Sequence, residues 1–257
     1  MAKAVDPHLA LRVRLSLRER IEVRAKFVAN TIAALETALD ALISKYNEQG
    51  RNASEPVPQW ILPPLSCQFL EEAATLLPPD SYAFEFGSGR STSALRGAFP
   101  AVFTLEHSNE WLRQTESSED AIVRRPTDES AVVPLERCWN RLRLIESFNL
   151  ARSPDILARL RQARLILVDS PPNPAKREHA LFLALRHGPV GAVIVLDDLE
   201  IRATSRFAHR LARQNAKRFR FWRMNIDHQL GVFLKLRVGR IRSRPSLIEF
   251  VGTWLRA

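Results

Sequence analysis

The residues best suited to chemistry gather in FEFGSGRSTS, residues 84–93, and at the ends of three later apolar runs. Gly87 and Gly89 flank Ser88, and Arg90, Ser91 and Thr92 follow. Glycines in such a turn let backbone approach a ligand where a Cβ would collide. A triphosphate-binding loop needs G-x-x-x-x-G-K-[ST]. With Gly89 as its second glycine, the first position is Phe84 and the lysine position is Arg90. A planar guanidinium does not replace a compact ammonium between phosphates. A dinucleotide fingerprint needs G-x-G-x-x-G, and Thr92 stands where its third glycine belongs. A carboxylate then closes the run AVFTLE: Glu106, 17 residues past Gly89. An acid at that strand end can accept hydrogen bonds from both hydroxyls of a ribose.

Taken together, E-F-G-S-G-R-S-T (85–92) and the later T-L-E-H-S-N-E-W (104–111) resemble class I S-adenosylmethionine-dependent methyltransferases. The likeness is to a subgroup with E-x-G-S-G-x-S-T and a following E-H-x-x-x-W, and it covers about residues 66–237. It implies S-adenosylmethionine as cofactor, held by Glu85, Gly87, Ser88, Gly89, Thr92 and Glu106. Glu85 would lie near the methionine end and Glu106 on the ribose. His107 would line the adenine side, and Ser147, which ends RLRLIES, joins the same set. Trp111 reads as a packed aromatic, as large rings near strand ends usually are.

Three more acids mark the end where chemistry would occur. Asp169 ends LILVD, and Asp197 and Asp198 end VIVLDD. Ligands of open α/β sheets bind beyond the carboxyl ends of the strands. Three carboxylates there repel unless paired, protonated or bound to a cation. In one reading Asp169 is a general base that takes the proton of a substrate hydroxyl. In another, Asp169, Asp197 and Asp198 resemble the magnesium site of catechol-type O-methyltransferases, with Asp198 where that pattern has Asn. SPPN, residues 170–173, is near the [D/N/S]-P-P-[aromatic] motif of nucleic-acid and glutamine N-methyltransferases. Asn173 cannot stack on a target base as the aromatic does. O-methylation of a small-molecule or glycan hydroxyl is therefore the expectation. N-methylation of nucleic acid or protein is the alternative, and a non-catalytic binding protein with this fold is a third. Arg177 and Arg202 are expected to pair with nearby carboxylates.

The elements that must position these residues alternate. Apolar runs at 82–86, 101–106, 141–147, 164–170 and 192–198 read as strands. Helical stretches lie at 91–99, 109–115, 153–162, 174–187 and 202–216. Strand–helix alternation means a parallel sheet covered on both faces. The last two strands, 219–225 and 231–236, are joined only by IDHQL, which permits a hairpin but no parallel crossover. The expected fold is α/β: a doubly wound, seven-stranded, mostly parallel sheet of Rossmann-like type with an antiparallel last strand. Residues 116–140 read as a long irregular loop over the substrate.

Around this domain, placed at 65–238, stand an N-terminal helical extension (1–50), a Pro-rich connector (51–64) and a basic tail (239–257). The extension predicts a helix over 16–48, with a Ser16–Glu19 capping box and Gly50 as its stop. Ile21, Ala25, Val28, Ile32, Leu35, Leu39, Leu42 and Tyr46 repeat at steps of four and three, as in a coiled coil. Ala29, Ala38 and Ile43 widen the stripe toward that of a helix packed on a core. Packing on the domain, a homodimer through this helix and a lid over the site all fit. The tail reads as a docked terminal helix or a basic-aromatic segment.

The chain has 257 residues, 46% hydrophobic and 26% charged, an ordinary globular balance. Two distant cysteines, Cys67 and Cys138, exclude a disulfide framework and make a zinc site improbable. A net charge of +10 favours anionic partners, but the scattered arginines define no nucleic-acid footprint. No signal peptide or membrane span is expected, which points to the cytoplasm.

Overall fold

The computed structural model describes residues 17–50, 64–117, 124–140 and 143–242. In chain order the elements are α1 (Leu17–Gly50), α2 (Pro64–Thr75), β1 (Tyr82–Phe86), α3 (Arg90–Ala98), β2 (Ala101–Glu106), α4 (Asn109–Glu116), β3 (Glu129–Val132), β4 (Glu136–Asn140) and β5 (Arg143–Ser147). There follow α5 (Pro154–Gln162), β6 (Leu165–Val168), α6 (Pro174–His187), β7 (Val193–Leu196), α7 (Arg202–Gln214), β8 (Phe219–Asn225) and β9 (Gln229–Lys235).

Seven strands form one sheet in the order β3-β2-β1-β6-β7-β9-β8. The pairings are parallel except those of β9, which is antiparallel to both β7 and β8. This is the expected doubly wound, Rossmann-like sheet with an antiparallel last strand. Each central strand feeds two cores. Phe84, Phe86, Ile166, Val168, Ile194 and Leu196 pack on the side that carries Leu160, Leu181 and Phe207 of α5–α7. Ala83, Leu165, Leu167, Val193 and Val195 pack on the other, with Leu39 of α1, Phe69 of α2 and Leu95 of α3. Strands covered on both faces must be apolar almost throughout, which is why these runs are so legible. Because β8 runs parallel to β7, the short β8–β9 turn falls at the carboxyl edge of the sheet, beside the ends of β1, β2, β6 and β7.

The third strand differs from expectation. The sheet takes Glu129–Val132 as β3, from within the stretch read as irregular, while residues 143–147 pair with β4 in a separate two-stranded antiparallel ribbon. An edge strand needs apolar cover on one side only and is typically short and charged. Ala131 is the residue of this strand that turns to the core, followed by Val133 and Leu135 beyond its end. The ribbon leaves Leu144 exposed, so its apolar alternation never served a doubly covered strand.

The second half of α1 packs on the domain. Leu39, Ile43 and Tyr46 are buried, and the Tyr46 ring meets Phe69 edge-on at 5.7 Å. Lys45 pairs with Glu72 at 2.7 Å and Arg220 with Glu36 at 3.3 Å. Over this half the stripe is spent within the chain, while Phe27 and Val28 of the first half stay exposed. Gly50 ends the helix against the β8–β9 turn, where a Cβ would stand 2.4 Å from Ile226 Cα. Ala25–Gly50 is long and apolar enough by length and composition alone to cross a membrane, its most apolar 18-residue window having a mean hydropathy of 1.3. Ser16 of the expected capping box, the connector at 51–63 and the tail from 243 onward lie outside the described residues.

Candidate functional site

The loop after β1 is held from below by its own chain. Glu85 alternates with Phe84 and Phe86, so its side chain points to the α3 face and is fully buried. Its carboxylate accepts hydrogen bonds from Thr104 Oγ1 at 2.7 Å and Ser91 Oγ at 3.3 Å. Thr92, also buried, accepts the Gly89 amide on Oγ1 at 3.0 Å, as the N3 residue of a capping box does. Glu85 and Thr92 thus brace the loop from beneath and present no open surface toward a ligand.

Burial pushes the Glu85 carboxyl up to about 7, against hydrogen bonds from Thr104, Thr92 and Ser91 and the charge of Arg96. A folded-state value above the ordinary 4.5 contributes stability that is complete below that value. It is lost as pH rises through 7. Glu85→Gln keeps the shape and one acceptor oxygen without the charge. It is expected to flatten stability between those pH values and to leave the variant more stable than wild type at pH 8, by at most roughly 3 kcal/mol. Urea denaturation at pH 5 and pH 8 measures this, and an unchanged pH dependence would count against it.

Above the brace the two glycines have different tasks. Gly87 has φ +101°, and a Cβ there would lie 2.7 Å from the Ser170 Cβ, so this turn and the β6 end close on each other. Gly89 is extended (φ 172°), and a Cβ on it would meet nothing within 4 Å. The space over Gly89 is open.

Glu106 borders the same loop. Its Oε2 accepts from Ser88 N at 2.8 Å and Ser88 Oγ at 3.1 Å. Its Oε1 accepts from His107 N at 2.6 Å and Ser108 N at 3.1 Å and faces His107 Nδ1 at 2.6 Å. Burial would raise its carboxyl, but the His107 ring and the amides of His107, Ser108 and Ser88 outweigh that and hold it below the usual carboxylate range. Two of these partners, the Ser88 hydroxyl and the His107 ring, sit on rotatable bonds and can yield to a ligand's hydroxyls. The amides cannot.

Three other residues depart from the expected arrangement or refine it. Trp111 is 44% exposed, not packed in the core, and its indole N–H donates to Ser88 O at 2.6 Å. It serves as an outer strut of the loop. Ser147 is buried and donates to Lys176 O at 3.0 Å, so it ties the ribbon to α6. His107 is half-exposed and also reaches Ser170 Oγ at 3.3 Å, which links the β2 and β6 ends.

At the β6 and β7 ends the acids meet two cations. Arg177, buried, donates to Asp198 Oδ2 through Nη1, to Asp169 O through Nη2 at 2.6 Å and to Pro171 O through Nε at 3.2 Å. This is the carboxylate pairing expected of it. His228, which the sequence reading missed, comes from the β8–β9 turn. Its Nε2 lies 3.2 Å from Asp197 Oδ1, 3.1 Å from Asp198 Oδ1 and 3.0 Å from Glu200 Oε1. Burial opposes its charge, but the three carboxylates push the imidazole up to about 12. Asp198, whose φ is 59°, is lowered by His228 and Arg177 despite burial.

Asp169 is different. Burial, then the charge of Asp197, holds its carboxyl well above the usual range, with Arg177 opposing. Its carboxyl is desolvated although 33% of the side-chain surface stays exposed. Of the three expected metal ligands, Asp197 and Asp198 share with His228 a group of donor atoms within 4.8 Å of one another, and Asp169 stands outside it.

The comparisons with known proteins bear on the fold. A search of family models and a search of curated proteins both found no match. Among solved structures, a Corynebacterium glutamicum protein superposes with a TM-score of 0.50 at 14% identity, over 78% of this chain and 92% of that one. A methyltransferase from Geobacter sulfurreducens gives 0.47 at 15% identity, over 80% and 96%. A methyltransferase-like protein from Silicibacter pomeroyi gives 0.44 at 14% identity, over 72% and 93%. At these identities the likeness is one of fold.

Proposed function

We propose that the chain is an S-adenosylmethionine-dependent methyltransferase that methylates a hydroxyl of a small molecule or glycan. The observation that carries this reading is the open space over Gly89, next to Ser88, whose amide and hydroxyl cover the buried Glu106 carboxylate. A phosphate loop would use Thr92 and a basic residue on its open side. Here Thr92 faces the loop's own amide, and the exposed Arg90 leads α3.

In this reading Gly89 supplies bare backbone for the cofactor to lie against. Glu106 accepts the ribose hydroxyls when Ser88 Oγ and His107 turn aside, and Ser88 N and Ser108 N keep the carboxylate aimed. His107 then borders the adenine side. When bound, the cofactor supplies a methyl group on an electrophilic sulfonium. The chain's own part is positioning and proton removal. Asp169, whose carboxyl burial and the Asp197 charge hold above the usual range, would in its ionised form take the acceptor's hydroxyl proton during methyl transfer. Arg177 fixes the Asp169 backbone and orients that base.

Asp169→Asn is expected to cut turnover about 10²–10³-fold while S-adenosylhomocysteine affinity stays within about twofold of wild type. Production of S-adenosylhomocysteine across a panel of phenolic and sugar hydroxyl acceptors gives the first quantity, and calorimetry the second. Undiminished turnover would remove Asp169 from the mechanism.

A further inference from the structure

The edge beyond β7 concentrates acid on an otherwise basic chain. Asp169, Asp197, Asp198 and Glu200 lie together there, and two cations reach them from other elements. We propose that Arg177 and His228 occupy the place a divalent cation would take between these carboxylates, so that part of the acid charge at this end of the sheet is offset from within and His228 is its positioning residue.

The geometry assigns each oxygen. Asp198 gives one carboxylate oxygen to Arg177 and the other to His228. Asp169 Oδ1 lies 3.5 Å from Arg177 Nη2. Asp197 Oδ1 and Asp198 Oδ1, two oxygens a bridging cation could use, already flank His228 Nε2 at 3.2 and 3.1 Å. Three carboxylate oxygens around one ring nitrogen attract an N–H and repel a lone pair, so Nε2 faces them as a donor, not as a ligand. Asp197 Oδ1 is buried with no hydrogen bond of its own, which leaves His228 as the charge that compensates it.

The turn that delivers His228 is fixed by neighbouring elements. Asn47 Oδ1 of α1 accepts the Asn225 amide at 2.6 Å. Gly50 abuts Asn225 O and Ile226 Cα so closely that no side chain fits. The Asp227 carboxylate accepts Leu65 N at 2.8 Å and Ser66 Oγ at 3.1 Å at the start of α2. Both N-terminal helices thus seat the imidazole among the acids, a role for α1 that needs neither a partner chain nor a lid.

The test titrates the full chain with Mn²⁺ alone, followed by calorimetry and by the Mn²⁺ electron paramagnetic resonance signal. Wild type is expected to leave millimolar Mn²⁺ free. His228→Ala and His228→Gln, each confirmed as folded by thermal melting, are expected to bind Mn²⁺ at least about tenfold more tightly, because a positive charge about 3 Å from the acids has gone. His228→Arg, which keeps a cation, should behave as wild type. Wild-type binding that His228→Ala weakens would make His228 a metal ligand and overturn the proposal. Equal Mn²⁺ affinity in wild type and the folded Ala and Gln variants would also overturn it. Should those variants not fold, wild-type binding that Asp197→Asn abolishes overturns it, and Mn²⁺ remaining free supports it.

Discussion

Gly89→Leu is expected to fold as the wild type does and to lose at least about 100-fold in affinity for S-adenosylhomocysteine, roughly 3 kcal/mol. The two effects separate because of where the residue sits. Its backbone is extended, a conformation any residue adopts, and its Cβ direction leads into open space. A leucine there strains nothing in the fold, so the melting temperature should move by no more than a surface substitution moves it. The same side chain fills the volume in which the proposed cofactor lies. Gly87→Leu makes the contrast, since a φ of +101° and the Ser170 contact at 2.7 Å make it a folding defect first. Thermal melts and calorimetry on the Gly89 variant check both halves. Retained S-adenosylhomocysteine binding would mean that the open space is not the cofactor's.

Glu106→Ala is the second large effect, an expected loss of about 10²–10³-fold in S-adenosylhomocysteine affinity. Two hydrogen bonds from ribose hydroxyls to a carboxylate are worth roughly 1.5–3 kcal/mol each. Part of the loss comes from the loop, because Glu106 also anchors the amides of Ser88, His107 and Ser108. A double-mutant logic separates the parts. If the carboxylate holds the ribose, Glu106→Ala should cost a 2′,3′-dideoxy analogue clearly less affinity than it costs S-adenosylhomocysteine. If the loss persists undiminished with that analogue, Glu106 only supports the loop.

What the sequence made legible follows from range and periodicity. β1, β6 and β7 announce themselves because doubly covered strands must be apolar throughout. Gly87, Gly89 and Glu106 stand within one strand–helix–strand unit, so local spacing is enough to bring them together. The direction of Glu85 was missed, although its neighbours Phe84 and Phe86 claim the opposite face of the strand. Family resemblance suggested the methionine end, and strand alternation sends the carboxylate under α3. β3 hid because a four-residue edge strand that begins Glu129-Ser130 has two apolar residues to show. His228 hid for a different reason. It is a lone histidine in a turn, far in sequence from Asp197, and no local pattern marks it. A hairpin that joins a parallel strand to an antiparallel last one must lie at the carboxyl edge, however, and that argument alone would have placed it beside the acids.

The central claim is that the loop after β1 binds an adenosyl cofactor. Calorimetric titration of the full chain with S-adenosylhomocysteine, beside parallel titrations with ATP and NAD, tests it most directly. Saturable one-site binding of S-adenosylhomocysteine, undisturbed by excess ATP or NAD, is the predicted result. Binding of ATP or NAD with none of S-adenosylhomocysteine would contradict it.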